Sequence, residues 1–134
     1  DNLRHGLNAD LGFSETDRME NVRRISEIAK VLVDAGLIVI VACISPYREG
    51  RQQARQKFQK NEFYEIYVNT PLSICEERDP KGLYQKARDS KISNFTGISN
   101  NYEPPECSDL VIHTKEREPE DCLKDVMYFL KSKL

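Results

Sequence analysis

The sequence predicts an α/β protein with a parallel sheet flanked by helices. Three observations predict it: apolar runs with the composition of buried strands, helical periodicity between these runs, and the alternation of the two along the chain. The length of 134 residues fits a single domain, 1–134. Because so few strands are recognisable, we expect the sheet to be incomplete on its N-terminal side and the domain to be N-terminally truncated.

The first helix is predicted between Ser14 and Gly36. Ser14 can cap its start, because Asp17 stands three residues later, and Gly36 is a natural end. The apolar residues between them recur at helical spacing and are Val22, Ile25, Ala29 and Leu32.

The strongest strand signal follows directly. Residues 37–42 (Leu-Ile-Val-Ile-Val-Ala) form a continuous apolar run, which is typical of a strand buried on both faces of a parallel sheet. Weaker runs predict strands at 63–68 and 109–113. The intervening segments predict helices at 48–60, 71–77 and 82–90, and a last helix that begins near Pro119.

Composition narrows the classes of partner and site. The net charge is −2 with 31% charged residues, which gives no reason to expect a nucleic acid polymer. No apolar run approaches the ~20 residues of a membrane span, so we expect no membrane partner. The four cysteines include no Cys-x-x-Cys pair, so we expect no metal site. We expect Cys43 and Cys75 to be buried thiols in a reducing, cytoplasmic setting.

Ligands of open α/β sheets bind at the carboxyl ends of the strands. Ile44 and Ser45 follow the first predicted strand, and residues 69–71 follow the second. The equally good alternative for Ile44 and Ser45 is a plain turn before a helix.

Cations cluster near the front of the chain. Arg4 lies close to Asp1 and His5, whereas Arg18 and Asn21 share one face of the first helix. Guanidinium groups make paired hydrogen bonds to phosphate or sulfate, so these residues could grip an oxyanion. Judged locally, a solvated charged face is the better interpretation.

Two further features are open to two interpretations. The basic run 78–88 could be a mobile lid over transferring phosphates or a surface loop and helix. Phe13 and Phe95 stand in polar, glycine-containing surroundings, where they could stack on a flat base or fill the edge of the core. The phosphate-cradling pattern Gly-x-x-x-x-Gly-Lys-Ser/Thr does not occur in the 134 residues.

Taken together, ordered segments across nearly the whole chain resemble the adenylylsulfate (APS) kinases, including the kinase half of bifunctional PAPS synthetases. The segments are Asp-Asn-Leu-Arg-His-Gly-Leu-Asn at 1–8, Leu-Gly-Phe-Ser-Glu-Thr-Asp-Arg at 11–18, Glu-Asn-Val-Arg-Arg-Ile at 20–25, Ile-Ser-Pro-Tyr-Arg at 44–48, Arg-Asp-Pro-Lys-Gly-Leu-Tyr at 78–84 and Phe-Thr-Gly-Ile at 95–98. Their shared order is far more specific than any one of them.

The resemblance implies roles for the acceptor-side residues. Asp1 would lie near the acceptor 3′-hydroxyl as a base or orienting carboxylate, and Asp1 and Ser45 are the catalytic candidates. Arg4, Arg18 and Asn21 would hold the phosphosulfate and the ribose of APS.

The resemblance also implies the remaining contacts. Phe13 and Phe95 would sandwich the APS adenine, and Ile44 would contact APS together with Ser45. Lys81 would reach APS from a lid, and Arg78 would lie towards the adenine of ATP.

The resemblance implies a P-loop kinase fold, with ATP and Mg²⁺ as cofactors and PAPS and ADP as products. The family's first strand, its phosphate loop, its next helix and its second strand would precede residue 1, so we expect the chain alone to be inactive. A homodimer is expected, and fusion to an ATP sulfurylase is left open. The alternative function is a non-catalytic, APS-kinase-like regulatory domain that lacks the phosphate loop.

Overall fold

A computed structural model describes residues 2–133 of the chain. A 3-10 helix, Asn2–His5, opens it. The helices that follow are α1 (Glu15–Asp34), α2 (Arg48–Arg55), α3 (Leu72–Arg78), α4 (Leu83–Arg88) and α5 (Pro119–Lys131), and the strands are β1 (Ile66–Asn69) and β2 (Leu110–His113).

Helix α1 is confirmed close to its predicted bounds. The Ser14 hydroxyl accepts a hydrogen bond from the Asp17 amide at 3.1 Å, which satisfies one of the free N–H groups of the first turn. After α1, Gly36 adopts a φ of +85°, a conformation that glycine takes without a steric penalty. Helix α2 is shorter than predicted and ends at Arg55.

Strands β1 and β2 pair in parallel, with Ile66 opposite Leu110 and Asn69 opposite His113. Both predicted strands are thus confirmed, although β1 begins three residues later than the apolar run that predicted it. Helix α5 packs beside β2. The buried apolar residues of the described chain are Val22, Ala29, Ala54, Ala87 and Ile112.

The prediction for residues 37–42 is wrong in this structure. The segment has no regular secondary structure, and Ile38 and Ile40 are 73% and 87% exposed. A strand needs a neighbouring strand that accepts and donates its backbone hydrogen bonds, and no strand of the described residues pairs with this segment. Cys43, predicted to be buried, is exposed for the same reason, whereas Cys75 is half-buried.

Candidate functional site

A cleft of about 650 Å³ lies between the front of α1 and the segment 39–46. One end is apolar, where the inner face of α1 meets residues 39–43. The other end is polar and brings together most of the predicted substrate residues. The members of that set that line the cleft are Arg4, Phe13, Arg18, Asn21, Ile44 and Ser45.

Arg4 and Phe13 form one corner of the cleft. The Nη1 atom of Arg4 donates hydrogen bonds to the carbonyl oxygens of Leu11 at 3.3 Å and Gly12 at 2.9 Å. Its Cζ lies 4.6 Å from the centroid of the Phe13 ring, a cation–π distance. The Phe13 ring is still 55% exposed, so it retains area on which a flat ligand could stack.

Arg18 is the central cation of the site. It is only 8% exposed, and its Nε and Nη2 donate to the carbonyl oxygens of Phe13 at 3.1 Å and Asn94 at 2.7 Å. One side chain thereby joins the two segments that carry the predicted stacking residues, Phe13 and Phe95. Burial lowers the pKa of Arg18 from its ordinary value, because removing a cation from water is costly. A bound anion would offset that cost.

Asn21 depends on a residue that sequence analysis missed. Its Oδ1 accepts a hydrogen bond from Nδ2 of Asn8 at 3.0 Å, and Asn8 is completely buried. The backbone N–H of Asn8 donates a second hydrogen bond, to the Leu3 carbonyl oxygen, at 2.7 Å. The available signal was a polar residue in the short Gly-Leu-Asn segment 6–8, which by itself is indistinguishable from a turn.

Ser45 and Ile44 form the opposite wall. Ser45 has a φ of +36°, which places a residue with a Cβ in a region that only glycine enters easily. Ile44 beside it is 59% exposed. Non-glycine residues with a positive φ are found preferentially at functional sites. The conformation of Ser45 therefore favours a ligand contact over the plain turn, which the local sequence allowed equally well.

The predicted lid, residues 78–88, lies outside the cleft lining, as does the rest of the segment 79–97, which includes Asn94 and Phe95. Phe95 packs edge-on against Tyr84 with ring centroids 5.0 Å apart. The Asp79 carboxylate accepts hydrogen bonds from three backbone amides at the start of α4, those of residues 83–85, at 2.8 to 3.1 Å. Lys81 is exposed in the turn between α3 and α4. The link from this segment to the cleft is the bond between Arg18 and the carbonyl of Asn94.

Arg78 stands apart from the other candidates. Its Nη2 donates to the carbonyl oxygen of Thr114 at 2.9 Å, directly after β2. The hydroxyl of Thr114 is hydrogen-bonded to that of Thr70, which follows β1. Arg78 therefore lies at the carboxyl edge of the sheet, where ligands of open α/β sheets bind, and its contact with ATP stays a prediction.

Three further predictions concern Asp1, metal ions and membranes. Asp1 lies outside the described residues. Between residues 2 and 133, no group of three or more His, Cys, Asp or Glu side chains could hold a metal ion. In the same part of the chain, no helix is both long and apolar enough to span a bilayer.

Comparisons with known proteins agree on one family. The model of the family described as adenylylsulphate kinase matches residues 1–113. The probable adenylyl-sulfate kinase of Bacillus subtilis (strain 168) is 54% identical over 134 residues, which are 100% of this chain and 68% of that protein. The bifunctional enzyme NodQ of Rhizobium meliloti (strain 1021) is 53% identical, and this chain spans 21% of its length.

A solved structure gives the same result. The structure of the Mycobacterium tuberculosis APS kinase CysC in complex with AMPPNP and APS has a TM-score of 0.91 and 47% sequence identity, and the match covers 98% of this chain and 76% of that one. The fold class is thus confirmed as that of an APS kinase, a P-loop fold. The Bacillus subtilis relative and the Mycobacterium tuberculosis structure carry kinase names, so they give no support to the alternative of a non-catalytic regulatory domain.

Proposed function

The chain belongs to the adenylylsulphate kinase family, and from that premise we propose that the full-length protein transfers the γ-phosphoryl group of ATP to the 3′-hydroxyl of APS. The bond between the γ-phosphorus and the bridging oxygen breaks, a bond to the 3′-oxygen forms, and the products are PAPS and ADP. The proton of the 3′-hydroxyl goes to a base, for which the family resemblance suggests Asp1.

The single observation that carries this proposal is the polar end of the cleft. It combines two guanidinium groups, an exposed aromatic ring, an amide and a hydroxyl from three separate segments. Those groups match a ligand that has a flat base, a sugar and an oxyanion. On a charged face that serves only solubility, Arg18 would be exposed to water, whereas here it is 8% exposed and lies beside Phe13.

Each side chain has a distinct task in this scheme. Arg18 and Arg4 would pair with the phosphosulfate oxygens, and Asn21 would bind the ribose. Phe13 would stack on the adenine, and Phe95 would cover its other face when the segment 79–97 closes. Holding the acceptor in one orientation lowers the barrier, because the phosphoryl transfer then needs no further alignment.

Among the described residues, no group of three or more His, Cys, Asp or Glu side chains could hold Mg²⁺ without help from the nucleotide. When bound with ATP, the ion would neutralise charge on the phosphates. ATP itself would meet Arg78 near the edge of the sheet, next to Thr114.

The test is a phosphoryl-transfer assay on the full-length protein with γ-labelled ATP. With APS as acceptor, label should appear in PAPS at the 3′ position. Adenosine 5′-monophosphate, which lacks the sulfate, is the matched control and should be a much poorer acceptor. Label transfer to water alone, with no PAPS, would refute the proposal.

The proposal extends to the cellular compartment and the oligomeric state of the protein. We propose a cytoplasmic enzyme, because its four cysteines are all free thiols. A homodimer, and fusion to an ATP sulfurylase, remain predictions. The similarity to NodQ, which is named a bifunctional enzyme, is the reason to keep the second.

A further inference from the structure

Arg51, on α2, lies directly behind Ser45. It is 9% exposed, and its Nη1 donates a hydrogen bond to the carbonyl oxygen of Ser45 at 2.7 Å. Its Nη2 donates to the carbonyl oxygen of Glu103 at 2.6 Å. One buried guanidinium therefore ties the cleft wall to a loop that is distant in sequence.

The Ser45 backbone needs such support. At a φ of +36° its Cβ crowds the carbonyl group of the preceding residue, so this conformation is unfavourable for a non-glycine residue without support from its surroundings. Ser45 belongs to no helix or strand that could hold it there. The next carbonyl, that of Pro46, accepts a hydrogen bond from the Glu103 amide at 2.8 Å. The turn is thus held by Arg51 and by the loop that Arg51 also binds.

Arg51 is itself fixed from its other sides. Its Nε lies 2.8 Å from Oε1 of Glu65, in an ion pair whose side chains are 10% and 17% exposed. Its Cζ lies 5.9 Å from the Tyr102 ring centroid. A Cβ added at Gly50 would lie 3.0 Å from Sδ of Met19, so α2 is pressed closely against α1. The direction of the guanidinium is therefore set by groups outside the cleft.

We propose that Arg51 is a positioning residue for APS: it holds Ser45 in its positive-φ conformation and so keeps the Ser45 contact in register with Arg18 and Asn21. This inference rests on the proposed function, because APS is the ligand that Ser45 would contact. A lysine cannot replace Arg51 here, since a single ammonium cannot serve two carbonyl groups and a carboxylate with the fixed geometry of a planar fork.

The test is a double-mutant cycle in the full-length protein with Arg51→Lys and Ser45→Gly. Arg51→Lys should raise the KM for APS about 5- to 30-fold, the ratio that corresponds to the strain of a non-glycine residue at positive φ, while the KM for ATP stays unchanged. Glycine takes a positive φ freely, so in the S45G background Arg51→Lys should cost less than about 3-fold.

Arg55→Lys is the matched control. Arg55 lies one turn later on α2 and pairs with Asp109 and Glu65, but it has no contact with Ser45. Its replacement should change the KM for APS less than about 2-fold in both backgrounds. An equal loss from Arg51→Lys with and without S45G would overturn the inference, because Arg51 would then act through general stability.

A structural readout separates the inference from the proposed function. In crystals of the Arg51→Lys protein, or of Arg51→Gln should the first variant not fold, Ser45 should leave the positive-φ region. A Ser45 φ that stays near the parent value would overturn the inference, even in an enzyme that forms PAPS. A parent protein that forms no PAPS would refute the proposed function, and the Ser45 conformation would still decide the role of Arg51.

Discussion

The front region, residues 2–34, and the apolar segment, residues 37–43, lie side by side along the same cleft and differ in what holds them. The front region is fixed by side chains, among them buried Asn8, Arg18 and Asn21. The apolar segment has the strongest strand signal in the sequence, yet it has no regular secondary structure. A helix satisfies its own backbone, whereas a strand depends on another strand for every hydrogen bond.

The apolar segment also exposes hydrophobic side chains to water, which is energetically unfavourable. Ile38, Ile40 and Val41 are exposed at 73%, 87% and 48%, and water-exposed runs of this kind mark surfaces that other groups cover. We therefore expect segment 37–43 to pair with strands that are not among the described residues. The front region would then supply the acceptor side of the site, and those strands would complete its phosphate side.

The largest effect is expected when the 134-residue chain is assayed by itself, without the strands that would complete the phosphate side of the site. This chain contains no Gly-x-x-x-x-Gly-Lys-Ser/Thr loop, which is the element that holds the β- and γ-phosphates in P-loop kinases. PAPS formation should be at least about 100-fold slower than for the full-length protein assayed alongside. Comparable rates would show that the acceptor side suffices.

Replacing Ile40 by alanine tests the apolar segment directly. In the chain alone the side chain is 87% exposed, so the free energy of unfolding should change by less than about 0.5 kcal/mol. In the full-length protein, where we expect a buried strand, the loss should be about 2–5 kcal/mol. Urea unfolding of both proteins measures the difference.

Val31→Ala is the control for that experiment. Val31 is 68% exposed on the outer side of α1, and we expect it to stay exposed in both proteins. Its effect should be small in each. A small effect of Ile40→Ala in the full-length protein would mean that segment 37–43 is exposed there too.

Replacing Arg18 by alanine tests the front region. The change should weaken APS binding by about 1.5–3 kcal/mol, the contribution of a hydrogen bond to a charged group, and should leave ATP binding almost unchanged. Titration calorimetry with each nucleotide provides the measurement. Arg23→Ala, on the same helix but paired with Glu20 and Glu27, is the control and should affect neither. Equal losses for APS and ATP would remove Arg18 from the acceptor site.

The contrast between the two regions also explains which features of the fold and the site could be predicted from the sequence. Helix α1 was predictable because Ser14, Gly36 and the apolar spacing are local signals. The grouping of Arg4, Arg18 and Asn21 came from the family resemblance, since local charge alone favoured a solvated face. Asn8 and Arg51 were missed because their importance lies in buried contacts with residues that are distant in sequence.

The smallest expected effect concerns the surface of the front region. Glu20 accepts hydrogen bonds from Arg23 at 2.6 Å and Arg24 at 2.8 Å, and Arg24 also binds Asp10 at 2.6 Å. The bond between Arg24 and Asp10 joins the loop before α1 to the helix, and Glu20 holds Arg24 from within the helix. All of these side chains are at least partly exposed to solvent. We therefore expect Glu20→Gln to lower the thermal midpoint only slightly at neutral pH, and the difference to shrink at high salt.

The pH dependence of that difference identifies its source. The two arginines lower the pKa of Glu20 from 4.5 to about 2, so the folded state favours the ionised carboxylate. The stabilisation is fully present above pH 4.5 and is lost as the pH falls towards 2. Parent and Glu20→Gln proteins should therefore differ at pH 6 and converge near pH 2. Glu77→Gln, at an exposed residue with no ion pair among residues 2–133, is the control and should match the parent protein at pH 6. A difference that persists at pH 2 would mean that Glu20 acts through packing, and the front region would then be held by its surface as well as by Asn8 and Arg18.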